Sequence, residues 1–115
     1  MKYMVLIYWD QSFSELLSVG ERETTRAAYR NLAADAEASN VLIGGEELQP
    51  VDTATHIRVR EGRTMIMDGP YAETREQLGG FFIFDCNNLD DVIEWAARIP
   101  RAQSGTIEIR PIQEM

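Results

Sequence analysis

The sequence predicts an α+β fold of ferredoxin-like type, ordered β-α-β, an inserted β-hairpin, then β-α-β. Three observations carry that expectation. Apolar runs at Tyr3–Trp9 and Leu78–Cys86 read as core strands, and capping residues at Ser18 and Asn88 precede amphipathic helical stripes. Two strand-like runs, Thr55–Arg60 and Arg63–Met67, are separated by the two-residue turn signal Glu61-Gly62.

The first strand, Tyr3–Trp9, is short, contains Val5 and Ile7, and is apolar on both faces. Gln11–Gly20 is mixed and yields no clear element. Ser18-x-x-Glu21 is a capping-box pattern that opens a helix from about Glu21 to Ser39. Ala28, Tyr29, Leu32, Ala33 and Ala36 fall on one stripe of it, and Asn40 suits a left-handed helix stop. Val41–Leu48 reads as a second strand, interrupted by Gly44-Gly45 and ended by Pro50. Within the hairpin Ile57 and Val59 alternate with Arg58 and Arg60, so one face is expected to be wet. The last helix follows Asn88 with acidic residues in its first turn, where the helix dipole favours them. Leu89, Val92, Ile93 and Ala96 form its expected buried stripe, and Pro100 stops it. Thr106–Ile112 closes the chain as an alternating strand, with Glu108 and Arg110 toward solvent.

Two right-handed β-α-β units place both helices on one face of a single sheet. The strands at Tyr3–Trp9 and Phe81–Phe84 are apolar on both faces, so the other sheet face would be a large exposed patch on a monomer. Pairing with a second copy is the simplest remedy, and the sequence therefore predicts a homodimer of the α+β-barrel type.

One domain spanning residues 1–115 fits the length. Eleven basic against nineteen acidic residues give a formal charge of −8, which repels nucleic-acid backbones and anionic membrane surfaces. The opening apolar run is short and has no small-residue cleavage site, so it reads as a strand and not as a secretory leader; the cytoplasm is the expected compartment. The lone Cys86 forms no intrachain disulfide, and no spacing suggests a metal site or a cofactor. Following the Phe strand, Cys86 is expected to be buried and inert.

The most unusual local sequence is Asp68-Gly-Pro-Tyr-Ala-Glu-Thr-Arg-Glu-Gln-Leu-Gly-Gly-Phe-Phe82. Asp68 ends a strand, Gly69-Pro70 forces a turn, and Gly79-Gly80 opens the next strand without side chains. Two readings of these residues stand. In one, Asp68 and Glu73 sit at a cleft mouth, Arg75 orients a carboxylate or phosphate, and the glycines admit a ligand. In the other, Asp68 caps the turn, Glu73 and Arg75 form a loop ion pair, and the glycines relieve crowding. His56 is either a general base or a surface residue of the hairpin. The aromatics Tyr3, Tyr8, Trp9, Phe81, Phe82 and Phe84 line either a pocket or a dimer core.

The motif resembles the signature of the YCII-related domains, in their DGPF-type branch, with Tyr71 in place of the usual Phe. Gly44-Gly45-Glu46-x-Leu48-x-Pro50, Glu94–Pro100 and Ile107–Pro111 resemble that branch too, so the likeness spans nearly the whole chain. The resemblance implies a dimeric α+β barrel with a cleft and, for most members, no assigned activity. It also implies a proposed His-Asp pair; one member dehalogenates a chlorinated muconolactone. The helix position of that His is Tyr29 here, a departure from the pattern.

Two functional expectations follow. One is a small-ligand-binding domain, extending to a cofactor-independent lyase or isomerase acting on an anionic or carbonyl compound. There Asp68 is the base, Arg75 the anchor, and Glu73 and Tyr29 polar helpers, with Gly79 and Gly80 lining the ligand. The other is a non-catalytic regulatory module, linked by the resemblance to extracytoplasmic-function sigma factors.

Overall fold

A computed structural model describes residues 1–14 and 16–115. Strand β1 (Lys2–Trp9) leads through a four-residue helix, α1 (Gln11–Ser14), to the long helix α2 (Val19–Ala38). Strands β2 (Leu42–Glu47), β3 (Thr55–Arg60), β4 (Arg63–Asp68) and β5 (Gln77–Asp85) follow, then helix α3 (Leu89–Ala96) and strand β6 (Thr106–Pro111). The main sheet is antiparallel in the order β2-β5-β1-β6, and β3-β4 forms a separate two-stranded sheet. This mixed α+β arrangement is compatible with the ferredoxin-like expectation. Among the described residues, no helix is long and apolar enough to cross a membrane.

The expected boundaries rest on visible local chemistry. Ser18 Oγ accepts the Glu21 N–H at 3.1 Å, and Asn88 Oδ1 accepts the Asp91 N–H at 2.9 Å. Asn40 takes φ 58°, while Val41 N–H reaches Ala36 O at 2.9 Å and Asn40 N–H reaches Glu37 O at 3.0 Å. Those two bonds are the paired closure of a Schellman stop. Glu61 and Gly62 both have positive φ, 52° and 76°, the geometry of a type I′ hairpin turn.

Strand register sorts the aromatics. Tyr3 pairs with Phe84, Val5 with Phe82 and with Ile109, and Ile7 with Gly80 and with Ile107, so all share the helix-side face. Leu32 and Ala36 of α2 and Val92 and Ala96 of α3 bury against them, placing both helices on one side. Phe82 and Phe84 stack with ring centroids 5.3 Å apart. The expectation that the aromatics split between pocket and dimer core is thereby refined: Tyr3, Phe82 and Phe84 belong to the helix-side packing of a single copy. By alternation Met4, Leu6, Phe81 and Ile83 point to the opposite, uncovered face.

Three expectations need correction. Leu89 (48% exposed) and Ile93 (46%) do not bury, because α3 is only eight residues long and turns just Val92 and Ala96 inward. Ala28 is also exposed, since only the C-terminal half of α2 reaches the sheet. The hairpin has no dry face: Ile57 and Ile66 are 62% and 66% exposed.

Core truncation separates these classes. Phe84→Ala should cost about 3–5 kcal/mol, a large share of a small domain's stability, whereas Ile93→Ala should stay within about 0.5 kcal/mol. Denaturant titration followed by circular dichroism checks both.

Candidate functional site

Helix α2 packs on the sheet through Leu32 and Ala36, and neither lies in its first half. That first half stands off the sheet and leaves a cavity of about 800 Å³, within the usual range for small-molecule pockets. Arg22, Arg26, Tyr29 and Ala33 form its helical wall, and Trp9, Phe82 and Arg101 complete its aromatic and cationic lining.

Glycines make the aromatic floor possible. The β1–β5 register shifts between Ile7 and Tyr8, skipping Gly79. A Cβ at Gly79 would lie 2.0 Å from the Trp9 ring, and one at Gly45 would lie 2.6 Å from the Phe82 ring. Both rings therefore lie flat against bare backbone. Trp9 also carries the Arg101 guanidinium, 4.6 Å from the ring centroid. Arg101 sits in a 3-10 turn, Pro100–Ala102, that follows α3 and has proline at its start. The loop closes where Gly105 N–H donates to Arg101 O at 2.7 Å.

Arg101 also donates, through side chain and backbone, to the Tyr29 hydroxyl. Burial pushes the Tyr29 phenol up from 10.0 to about 12; Glu47 adds to the rise and Arg101 opposes it. Tyr29 stacks at 6.4 Å on Phe82, which fixes its ring over the floor. The cavity rim is tied by Gln11. Its N–H donates to Gln77 Oε1 at 3.1 Å, and its Oε1 accepts the Val51 N–H at 2.8 Å.

Of the sequence-predicted site residues, Tyr29, Gly79 and Gly80 line this cavity, and Asp68, Glu73 and Arg75 do not. Asp68 is exposed at the end of β4, and Glu73 is exposed in the following loop. Arg75 is 93% exposed, with Nε 4.0 Å from Asp10 Oδ2. The Asp68-Gly-Pro turn is instead tied to the hairpin root: Gly69 N–H donates to Ala54 O at 2.6 Å, and His56 Nδ1 lies 3.1 Å from Gly69 O. A carbonyl only accepts, so His56 carries its proton on Nδ1 and serves the turn. Cys86 is buried, and burial pushes its thiol up, with Asp91 and Asp85 adding to the effect.

Trp9 was among the aromatics expected at a pocket or a dimer core and does line the cavity, whereas Arg101 and Gln11 escaped the sequence reading. Pro100-Arg101 carries no site signal, and the contact with Trp9 joins the two ends of the chain.

The raised Tyr29 value sets a pH dependence. The folded phenol holds its proton more tightly than the unfolded one, so its contribution is whole below pH 10.0 and is lost as pH climbs through about 12. Ultraviolet titration of the tyrosines should show a late-ionising phenol that Tyr29→Phe removes. The same substitution should flatten the alkaline fall in stability.

Comparison with known proteins agrees with the motif. An uncharacterised protein of Rhizobium meliloti (strain 1021) is 34% identical over 114 residues, covering 97% of this chain and 92% of that protein. The family model of the YCII-related domain matches residues 1–115, and the chain belongs to that family.

Proposed function

We propose that this YCII-related domain binds a small anionic or carbonyl-bearing molecule in the cavity under α2, and works as a homodimer paired through its open sheet face. One observation carries the binding reading: Arg101 is held between the Trp9 ring and the Tyr29 hydroxyl at the wall of a cavity with an aromatic floor. A guanidinium presents its N–H donors in a planar fork that matches an oxyanion, and these two contacts fix its direction. Tyr29 keeps its proton across physiological pH and has an O–H to donate beside it. The apolar floor accepts a flat hydrophobic body.

A second reading, acid-base chemistry without a cofactor, is favoured by Glu47, which lies close enough to raise the Tyr29 phenol. There the phenol acts as acid or hydrogen-bond donor and Glu47 replaces the expected Asp68 as the carboxylate. Pairing through the open face is supported by Met4, Leu6, Phe81 and Ile83, which lie together on the sheet face opposite both helices.

Calorimetric titration with benzoate and phenylacetate, against benzamide as neutral control, tests the binding reading. Both acids should bind and benzamide should bind more weakly. Arg101→Gln should weaken the acids by tenfold or more, as expected for a charge-assisted hydrogen bond worth about 1.5–3 kcal/mol. Equal binding of acids by wild type and Arg101→Gln, with folding intact by circular dichroism, would remove Arg101 as anchor.

A further inference from the structure

Strand β2 gives the cavity a carboxylate that anion binding does not use. Residues opposite one another on paired strands share a face, and Glu47 pairs with Gly80, which pairs in turn with Ile7 of the helix-side core. Glu47 therefore faces the cavity, whereas its neighbour Glu46 pairs with Phe81 and faces the open side of the sheet. Gly80 has no side chain to pack across Glu47, so the second glycine of the Gly79-Gly80 pair keeps the space beside this carboxylate clear.

Glu47 forms no ion pair with a described residue. It nevertheless acts on the Tyr29 phenol, which it pushes up while Arg101 holds it down. Charges of opposite sign thus reach one hydroxyl at the cavity wall, without neutralising each other in a direct pair. Net charge adds a second constraint. A ligand that is only an anion approaches a chain of formal charge −8 against its field. A ligand with one charge of each sign has no net charge for that field to repel.

We infer that the ligand of this cavity is amphoteric, a flat apolar molecule with an oxyanion for Arg101 and an ammonium-type cation for Glu47. Its body lies on the Trp9 and Phe82 rings, and Glu47 is the residue that selects it over a simple acid of the same shape. The inference rests on the binding reading proposed above and narrows its ligand class. Glu47 is exposed, so its discrimination is that of a solvent-screened pair, about fivefold.

The test titrates meta- and para-(aminomethyl)benzoate by calorimetry against meta- and para-toluate, which keep the shape and the acid but lack the cation. One aminomethyl isomer should bind wild type about fivefold more tightly than its toluate. Glu47→Gln should abolish that margin while binding the toluates no more weakly than wild type, and Glu47→Asp, which keeps the charge, should retain part of it. Glu37→Gln makes the same change in net charge at an exposed position outside the cavity lining, and should leave the margin intact. Circular dichroism checks that each variant is folded. Toluates that bind wild type as tightly as their aminomethyl counterparts overturn the inference and leave the binding reading in place. A margin that survives Glu47→Gln, or falls equally in Glu37→Gln, overturns it by assigning the cation to another carboxylate or to the general field. Failure of all four acids to bind overturns the binding reading and the inference together.

Discussion

Trp9 lies flat against Gly79, and much of the site's geometry depends on that contact. The ring fits only because the bulge in β5 places a residue without a Cβ beneath it, where a methyl would sit 2.0 Å from the indole. The same ring carries Arg101, whose guanidinium lies 4.6 Å from its centroid. Arg101 in turn reaches Tyr29, and so connects the loop after α3 to the wall formed by α2. A substitution at Gly79 would thus act on an arginine far away in sequence. An overpacked position of this kind costs about 1–3 kcal/mol, enough to lift the ring before it unfolds the domain.

The same stack explains why a cavity exists at all. Helix α2 spans twenty residues but buries only Leu32 and Ala36. Ahead of Leu32 the sheet surface is already covered by the Trp9 and Phe82 rings lying on glycines, and Tyr29 meets Phe82 at 6.4 Å instead of seating between strands. The first half of α2 is held off by its own arginines as well. Arg22 and Arg26 line the cavity from this half, and charged side chains resist packing into an apolar sheet face. The cavity is therefore a consequence of packing large flat rings on bare backbone beneath a helix whose facing residues are cationic.

Local chemistry was legible in the sequence wherever one residue type answers one backbone demand. Asn40 and Glu61-Gly62 took the left-handed conformations expected of a stop and a hairpin, and Ser18 and Asn88 capped their helices. Tyr29, Gly79 and Gly80 were singled out and do line the cavity, although Gly79 lies against the Trp9 ring and Gly80 against the Glu46 backbone. What was not legible depends on distance along the chain. Leu89 and Ile93 have helical spacing, but whether a short helix buries two residues or four depends on its tilt against the sheet. Asp68 and Arg75 form a conspicuous motif, yet their turn is tied back to the hairpin root. Arg101 has no motif, and only the fold brings it to Trp9.

The placement of positive charge gives the last step. The chain has eleven basic residues against nineteen acidic ones. Four of the eleven, Arg22, Arg26, Arg30 and Arg101, line the cavity, and three more, Arg58, Arg60 and Arg63, lie on the hairpin. Glu46, Glu47 and Asp52 share the cavity lining, so its field is mixed at the rim. Coulomb attraction there is strongest where water is excluded, which is at the Tyr29–Arg101 wall and not among the exposed arginines of α2. Those outer arginines act at longer range, drawing an anion toward an otherwise repelling surface. An acidic protein that gathers seven of its arginines at one cavity and one hairpin concentrates its attraction for anions at those places.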